Sequence, residues 1–210
     1  LGIGWLKTEL AVTFIKRGEA APVDENCLYL NVRTPAPGNV DAKLPVMVWI
    51  HGGSHITGAG SDDLYQSNAL VQEGVILVTI NYRLGVFGYL AHPALSVDSE
   101  RGISGNYGLL DQIEALKWVQ GNIEAFGGDK NNVTVFGESA GAWAVTEIMA
   151  SPLAKGLVHK AIGESGASST LHHLRTTPVA PYSGEGEGVK IAAAFGVTET
   201  MSADDMRKIP

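Results

Sequence analysis

The sequence has one cysteine, no surplus of positive charge and no long apolar run. Cys27 cannot form a disulfide within the chain, so it is either a buried thiol or half of a bridge to a partner outside it. Lys and Arg number 15 against 22 Asp and Glu, a net charge of −7. No basic stripe is available to displace counterions from phosphate, which argues against a nucleic-acid partner. The apolar runs are of strand length, such as Pro45–Ile50. None approaches the roughly 18 residues of a membrane span. The sequence opens at Leu1 without a signal-peptide pattern, which reads as a trimmed or processed start. No internal repeat and no linker divides the chain, so one domain is expected over residues 1–210. No cofactor and no metal is expected.

What is present is the composition of a globular protein, 45% hydrophobic and 18% charged, with 26 glycines, many beside apolar runs. Strands are predicted at Leu28–Arg33, Pro45–Ile50, Val75–Ile80, Val133–Phe136 and Val158–Gly163. Helices are predicted at Gln66–Gln72, from Gly108 to about Phe126, and at Ala142–Ala150. Residues Asn81–Ser104 and Pro178–Gly188 read as loop, followed by short helices at Val189–Phe195 and Asp204–Ile209. Strands alternating with helices make the class α/β, with a mostly parallel sheet flanked by helices.

Gly137-Glu-Ser-Ala-Gly141 fits the Gly-x-Ser-x-Gly nucleophile elbow of the α/β-hydrolase fold. A β-branched run precedes it and a helix-compatible run follows, as a strand-to-helix turn requires. Side chains two residues to either side of the serine would collide with neighbouring backbone. Ser139 is the candidate nucleophile. The related Gly163-Glu-Ser-Gly166 lacks the second glycine at the right spacing, because Ala167 stands there. Ser165 is therefore assigned to the loop after the next strand. The Ala140 N–H at the start of the following helix can face an oxyanion. His51-Gly-Gly-Ser54 is the Gly-rich loop expected to supply further donors, Gly53 and Ser54, with Gly52 permitting close approach.

Glu25-Asn-Cys-Leu-Tyr-Leu-Asn-Val32, Asn81-Tyr-Arg-Leu-Gly85, Gly105-Asn-Tyr-Gly-Leu-Leu-Asp-Gln112 and Phe126-Gly-Gly-Asp-Lys-Asn-Asn-Val-Thr-Val-Phe-Gly-Glu-Ser-Ala-Gly141 resemble the landmarks of the type-B carboxylesterases. These belong to the carboxylesterase/cholinesterase family. The resemblance runs from about Glu25 to Ser168. Asn26 replaces an acidic residue usual there, and Ser54 stands where members usually carry a third glycine. The resemblance implies a hydrolase of small-molecule carboxylic esters with a Ser–His–Glu or Ser–His–Asp triad. It implies an oxyanion hole of Gly53, Ser54 and Ala140, and a disulfide from Cys27 to an earlier cysteine that this sequence does not contain. It also favours an extracellular location. The competing readings are an inert interaction module of the same fold and another serine hydrolase, a thioesterase or peptidase.

In this fold the acid and the histidine follow the serine in chain order. The acid and histidine of the resembled family lie beyond residue 210, so the chain reads as an internal piece, inactive by itself. His172 and His173 are the local candidates for a base, after the strand that ends at Gly163. His51 and His55 are expected to shape the oxyanion loop, and His159 to be structural. Glu138 is expected in a structural salt bridge, Arg83 and Asp111 as paired anchors. Trp49 and Trp118 read as core, Trp5 and Trp143 as pocket or surface.

Overall fold

A computed structural model describes residues 24–168, 173–176, 182–198 and 200–209. Its elements begin with β1 (Leu30–Arg33), β2 (Leu44–Ile50), α1 (Ala69–Gln72), β3 (Ile76–Ile80), α2 (Gly85–Tyr89) and α3 (Pro93–Asp98). There follow α4 (Tyr107–Asn122), β4 (Gly128–Glu138), α5 (Ala140–Ala150), β5 (Lys160–Glu164), α6 (Gly184–Ala193) and α7 (Ala203–Met206). The described residues form two compact units. The first takes in residues 24–84 and 108–168; the second takes in 85–107 and the described residues from 173 onward.

The first unit is a five-stranded sheet of order β1-β3-β2-β4-β5, in which only β1 runs antiparallel to its neighbour. The α/β class expected from the alternation of elements is therefore present, with a mixed but mostly parallel sheet. β3 is buried along its whole length, as a central parallel strand covered on both faces should be. One face of the sheet carries Val46, Val48, Ile50, Val133 and Val135, all fully buried. Burying each such side chain stabilises the fold by about 1.5–3 kcal/mol relative to leaving it in water. α5 packs against β4, β5 and β2 through Ala144, Val145 and Ile148. On the other face, the Trp49 ring meets Phe136 at 4.8 Å and Tyr65 at 5.1 Å between centroids. These rings join Leu64, Glu138 and Glu164 around an open cavity of about 400 Å³.

The expected anchors pair. Arg83 donates from Nε and Nη2 to the two oxygens of buried Asp111, at 2.8 and 2.7 Å, and its backbone N–H donates to the same carboxylate at 3.0 Å. This forked ion pair ties the end of β3 to α4. His159 is structural as expected: its N–H donates to Val133 O, and its Nδ1 accepts from Val133 N–H. Cys27 is buried, and burial is the chief cause that raises its thiol pKa. Trp118 is only half-buried, and Trp143 stands 47% exposed beside the elbow. Trp5 lies outside the described residues.

The second unit refines one expectation and corrects another. Residues 81–104 are mostly loop as expected, but two short helices, α2 and α3, form within them. His92 supplies the reason for α3: its Nδ1 accepts from Ala94 N–H, and Pro93 occupies the first helical position. α6 begins at Gly184 rather than Val189. Ser183 caps it by accepting from Gly186 N–H, and Glu185 and Glu187 fall in the first turn, where they complement the helix dipole. Three glycines within five residues mask those signals in the sequence. Within this unit buried Ser96 donates to Glu185 at 2.6 Å and meets Ser104 at 2.7 Å.

Candidate active site

Ser139 follows the last residue of β4 and precedes the first residue of α5, with φ 55° and ψ −119°. That backbone region is one that side chains other than glycine enter at a cost of about 1–3 kcal/mol. The surroundings hold it there. The Ser139 N–H donates to Glu164 O at 2.9 Å, and its carbonyl accepts from Ala142 and Trp143 N–H at 3.0 and 3.1 Å. The two flanking glycines have steric causes. A Cβ on Gly137 would lie 2.6 Å from Gly141 C, and one on Gly141 would lie 2.1 Å from Ile50 O. β2 and β4 run so close to α5 here that no side chain fits.

The loop after β2 reaches the same place. A Cβ on Gly52 would stand 2.8 Å from Glu138 O and 3.2 Å from Ser139 Cβ, so Gly52 lies directly against the serine. Gly53 has φ 102°, and a Cβ there would meet Thr57 O at 2.2 Å. Ser54 and His55 continue with φ 57° and 59°. His55 Nε2–H donates to Ala140 O at 3.2 Å, which ties the loop to the first turn of α5. The structure thus brings together Ser139, Ala140, Gly52, Gly53 and Ser54 in one unit. His173 is exposed in the other unit, and His172 lies outside the described residues. Glu138 makes no salt bridge among the described residues, contrary to expectation. It sits at the rim of the apolar cavity, whose other lining residues include no cation.

β5 contributes more than the sequence indicates. β4 and β5 pair in parallel with Gly137 opposite Gly163 and Glu138 opposite Glu164. The two Gly-Glu-Ser triplets therefore run side by side, and Ser165 leaves its strand with the same φ of 55° as Ser139. A Cβ on Gly166 would stand 2.6 Å from Ser139 O. The repeated triplet is the sequence signal, though its lateral register appears only in the fold.

His51 is fully buried and stacks on Tyr82 at 4.4 Å with 21° between the ring planes. Burial lowers its pKa to about 4, against the opposing effect of a hydrogen bond to Gly52 O. Unfolded, an ordinary histidine takes up its proton near pH 6.5. Below that pH the unfolded chain binds a proton that the folded one refuses, so stability falls as pH drops from 6.5 towards 4 and then levels. The loss from this residue should reach about 3 kcal/mol by pH 4. Urea titrations at pH 7 and pH 4.5 will measure it, and a difference that survives in His51→Phe would assign the pH dependence elsewhere.

Among the described residues no group of three or more His, Cys, Asp or Glu is placed to hold a metal ion. No helix among them is long and apolar enough to cross a membrane.

Residues 7–207 match the model of the carboxylesterase family. The chain is 45% identical over 191 residues to the fumonisin B1 esterase of Sphingopyxis macrogoltabida, covering 90% of this chain and 34% of that protein. It is 57% identical over 148 residues to the para-nitrobenzyl esterase of Bacillus subtilis (strain 168), covering 70% of this chain and 29% of that protein. Among solved structures, the carboxylesterase EST55 of Geobacillus stearothermophilus at pH 6.2 matches with a TM-score of 0.76 and 35% identity. That match covers 98% of this chain and 41% of the other. The chain spans about a third of the length of these curated relatives. The shared motifs, the shared fold and a match along nearly the whole sequence lead to one identification: this chain belongs to the carboxylesterase family.

Proposed function

We propose that the chain carries the nucleophile and oxyanion half of a serine hydrolase that cleaves small-molecule carboxylic esters. The observation that carries this reading is the juxtaposition of Gly52 with Ser139 Cβ at a strand-to-helix turn of positive φ. Ser139 Oγ attacks the ester carbonyl, and the tetrahedral oxyanion rests on the N–H groups of Gly53, Ser54 and Ala140. Collapse expels the alcohol and leaves an acyl-enzyme, which water then hydrolyses through a second tetrahedral species on the same donors. A histidine takes the Ser139 proton and returns it to the leaving alkoxide. The described histidines of this unit are engaged elsewhere: His51 and His55 in the oxyanion loop, His159 at the start of β5. We therefore place the base and its orienting carboxylate in the part of a relative's length that this chain does not span.

A fluorophosphonate probe tests the assignment, because it phosphonylates only an activated serine. With the protein expressed from its complete coding sequence, peptide mass spectrometry is expected to find the adduct on Ser139. A labelled Ser165 would overturn the choice of nucleophile. No labelling at all would favour an inert interaction module of the same fold.

A further inference from the structure

Each proposed oxyanion donor is an N–H whose direction is set by the carbonyl of the preceding residue, since the two point oppositely across a trans peptide. Ala140 N–H is aimed by Ser139 O, which two helix N–H groups hold. Ser54 N–H is aimed by Gly53 O, held at 3.0 Å by both Ile56 and Thr57 N–H, with Thr57 Oγ1 at 3.4 Å. Gly53 N–H is aimed by Gly52 O, and its partner is a side chain: His51 Nδ1 at 2.8 Å. A carbonyl only accepts, so Nδ1 carries the proton. Nε2 is buried and has no hydrogen-bond partner among the described residues.

We propose that His51 is a positioning residue for the oxyanion hole, a neutral Nδ1–H tautomer that clamps Gly52 O and so directs Gly53 N–H at the reacting carbonyl oxygen. This rests on the esterase reading of the site. The fold is built around the ring. Tyr82 stacks on it and donates its hydroxyl to His51 O at 2.7 Å. Gly58, at φ 113°, lies so close that a Cβ would meet Nδ1 at 2.3 Å. A buried aromatic hydrocarbon would fill the same space without leaving Nε2 unsatisfied, which is a destabilising feature. The hydrogen bond to Gly52 O is what the imidazole alone supplies. The ring stays neutral where an ordinary histidine would be charged, because burial opposes protonation and the charged groups nearby do not overcome it. Asp62 favours the charged form and His55 opposes it.

Two replacements separate this role from simple packing, in the protein expressed from its complete coding sequence. His51→Phe keeps a ring on Tyr82 and removes the donor. His51→Asn places an amide N–H near the position of Nδ1. The phenylalanine variant is expected to lower kcat for a p-nitrophenyl ester by about 10- to 100-fold, part of the effect of deleting an oxyanion donor outright, with KM little changed. Asparagine should restore most of kcat even where it lowers the melting temperature, which a purely structural role does not predict. A fully active phenylalanine variant, or an asparagine variant as impaired as phenylalanine, overturns the proposal. Nitrogen-15 shifts of labelled histidine give a second reading that needs no variant. They should show Nδ1 protonated and Nε2 bare at neutral pH, and the opposite tautomer would refute the clamp. Ser139→Ala run in parallel keeps the two claims apart. Turnover surviving that change defeats the nucleophile assignment. Loss of turnover there with full activity in His51→Phe defeats only the clamp.

Discussion

Ser139→Ala is expected to lower kcat/KM for a p-nitrophenyl ester by about 10⁴-fold or more, while the unfolding free energy stays near that of the parent. The two expectations have separate causes. On the proposed mechanism activity depends on Oγ, the atom that would form the acyl bond, and no neighbouring hydroxyl is expected to substitute for it. Ser165 sits in the adjacent strand's register with the same φ, but its motif lacks the second glycine and Ala167 stands in that place. Ser165→Ala should therefore keep most of the activity. Stability depends on the backbone, and alanine is as uncomfortable at φ 55° and ψ −119° as serine is. Ser139→Gly is the informative companion. It should be equally inactive yet more stable by about 1 kcal/mol, because glycine accepts this conformation with little strain. Ester assays with urea denaturation of the three proteins measure both sides. An inactive Ser139→Gly that was less stable than the parent would mean that the hydroxyl also supports the fold.

Much of this arrangement is legible in the sequence because it rests on local requirements. Apolar runs mark the strands β2 and β3 within a residue of their observed ends, and the Gly-x-Ser-x-Gly spacing marks the elbow. The pairing of Arg83 with Asp111 is also expected, two charges beside apolar runs needing a partner. What escapes is set by register and by capping. Glu138 reads from sequence as one half of an ion pair, but its position at the rim of the apolar cavity follows from strand alternation on β4, with Phe136 on the same face. The start of α6 is hidden behind glycines that argue for loop, although Ser183 and the acidic first turn outweigh them once packed. The role of β5 in holding Ser139 depends on pairing Gly137 with Gly163, a relation between residues 26 apart that no local pattern encodes. Sequence places His51 at the start of the Gly-rich loop after β2; that its Nδ1 meets Gly52 O appears only in the fold.

Gly141→Ala should be among the damaging single-methyl changes in the described residues, and the one that reaches the candidate site from two sides. Its Cβ would stand 2.1 Å from Ile50 O and 3.1 Å from His51 O, contacts with backbone rather than with a side chain that can swing away. Ile50 ends β2, which pairs with β4 through Ile50 and Gly137, and His51 opens the loop that carries Gly52 and Gly53. The strain therefore has two outlets, and both matter. Either α5 moves off the sheet, which uncovers the packing of Ala144, Val145 and Ile148, or β2 and its loop move, which shifts Gly52 and Gly53 away from Ser139. Overpacking of a well-filled interior costs about 1–3 kcal/mol, and a clash with the fixed Ile50 carbonyl belongs at or above the upper end. The variant is expected to lose about 3 kcal/mol of stability and most of its fluorophosphonate labelling even at temperatures where it remains folded. Gly121→Ala is the matched control, because that glycine lies inside α4 with nothing within 4 Å of the added methyl. There alanine should stabilise by about 0.5–1 kcal/mol through helix propensity alone, with labelling unchanged. Opposite signs for the same chemical change would show that the elbow glycine is required by the backbone of β2 pressed against it. Equal effects would remove that explanation, and with it the steric reason for the second glycine of the motif.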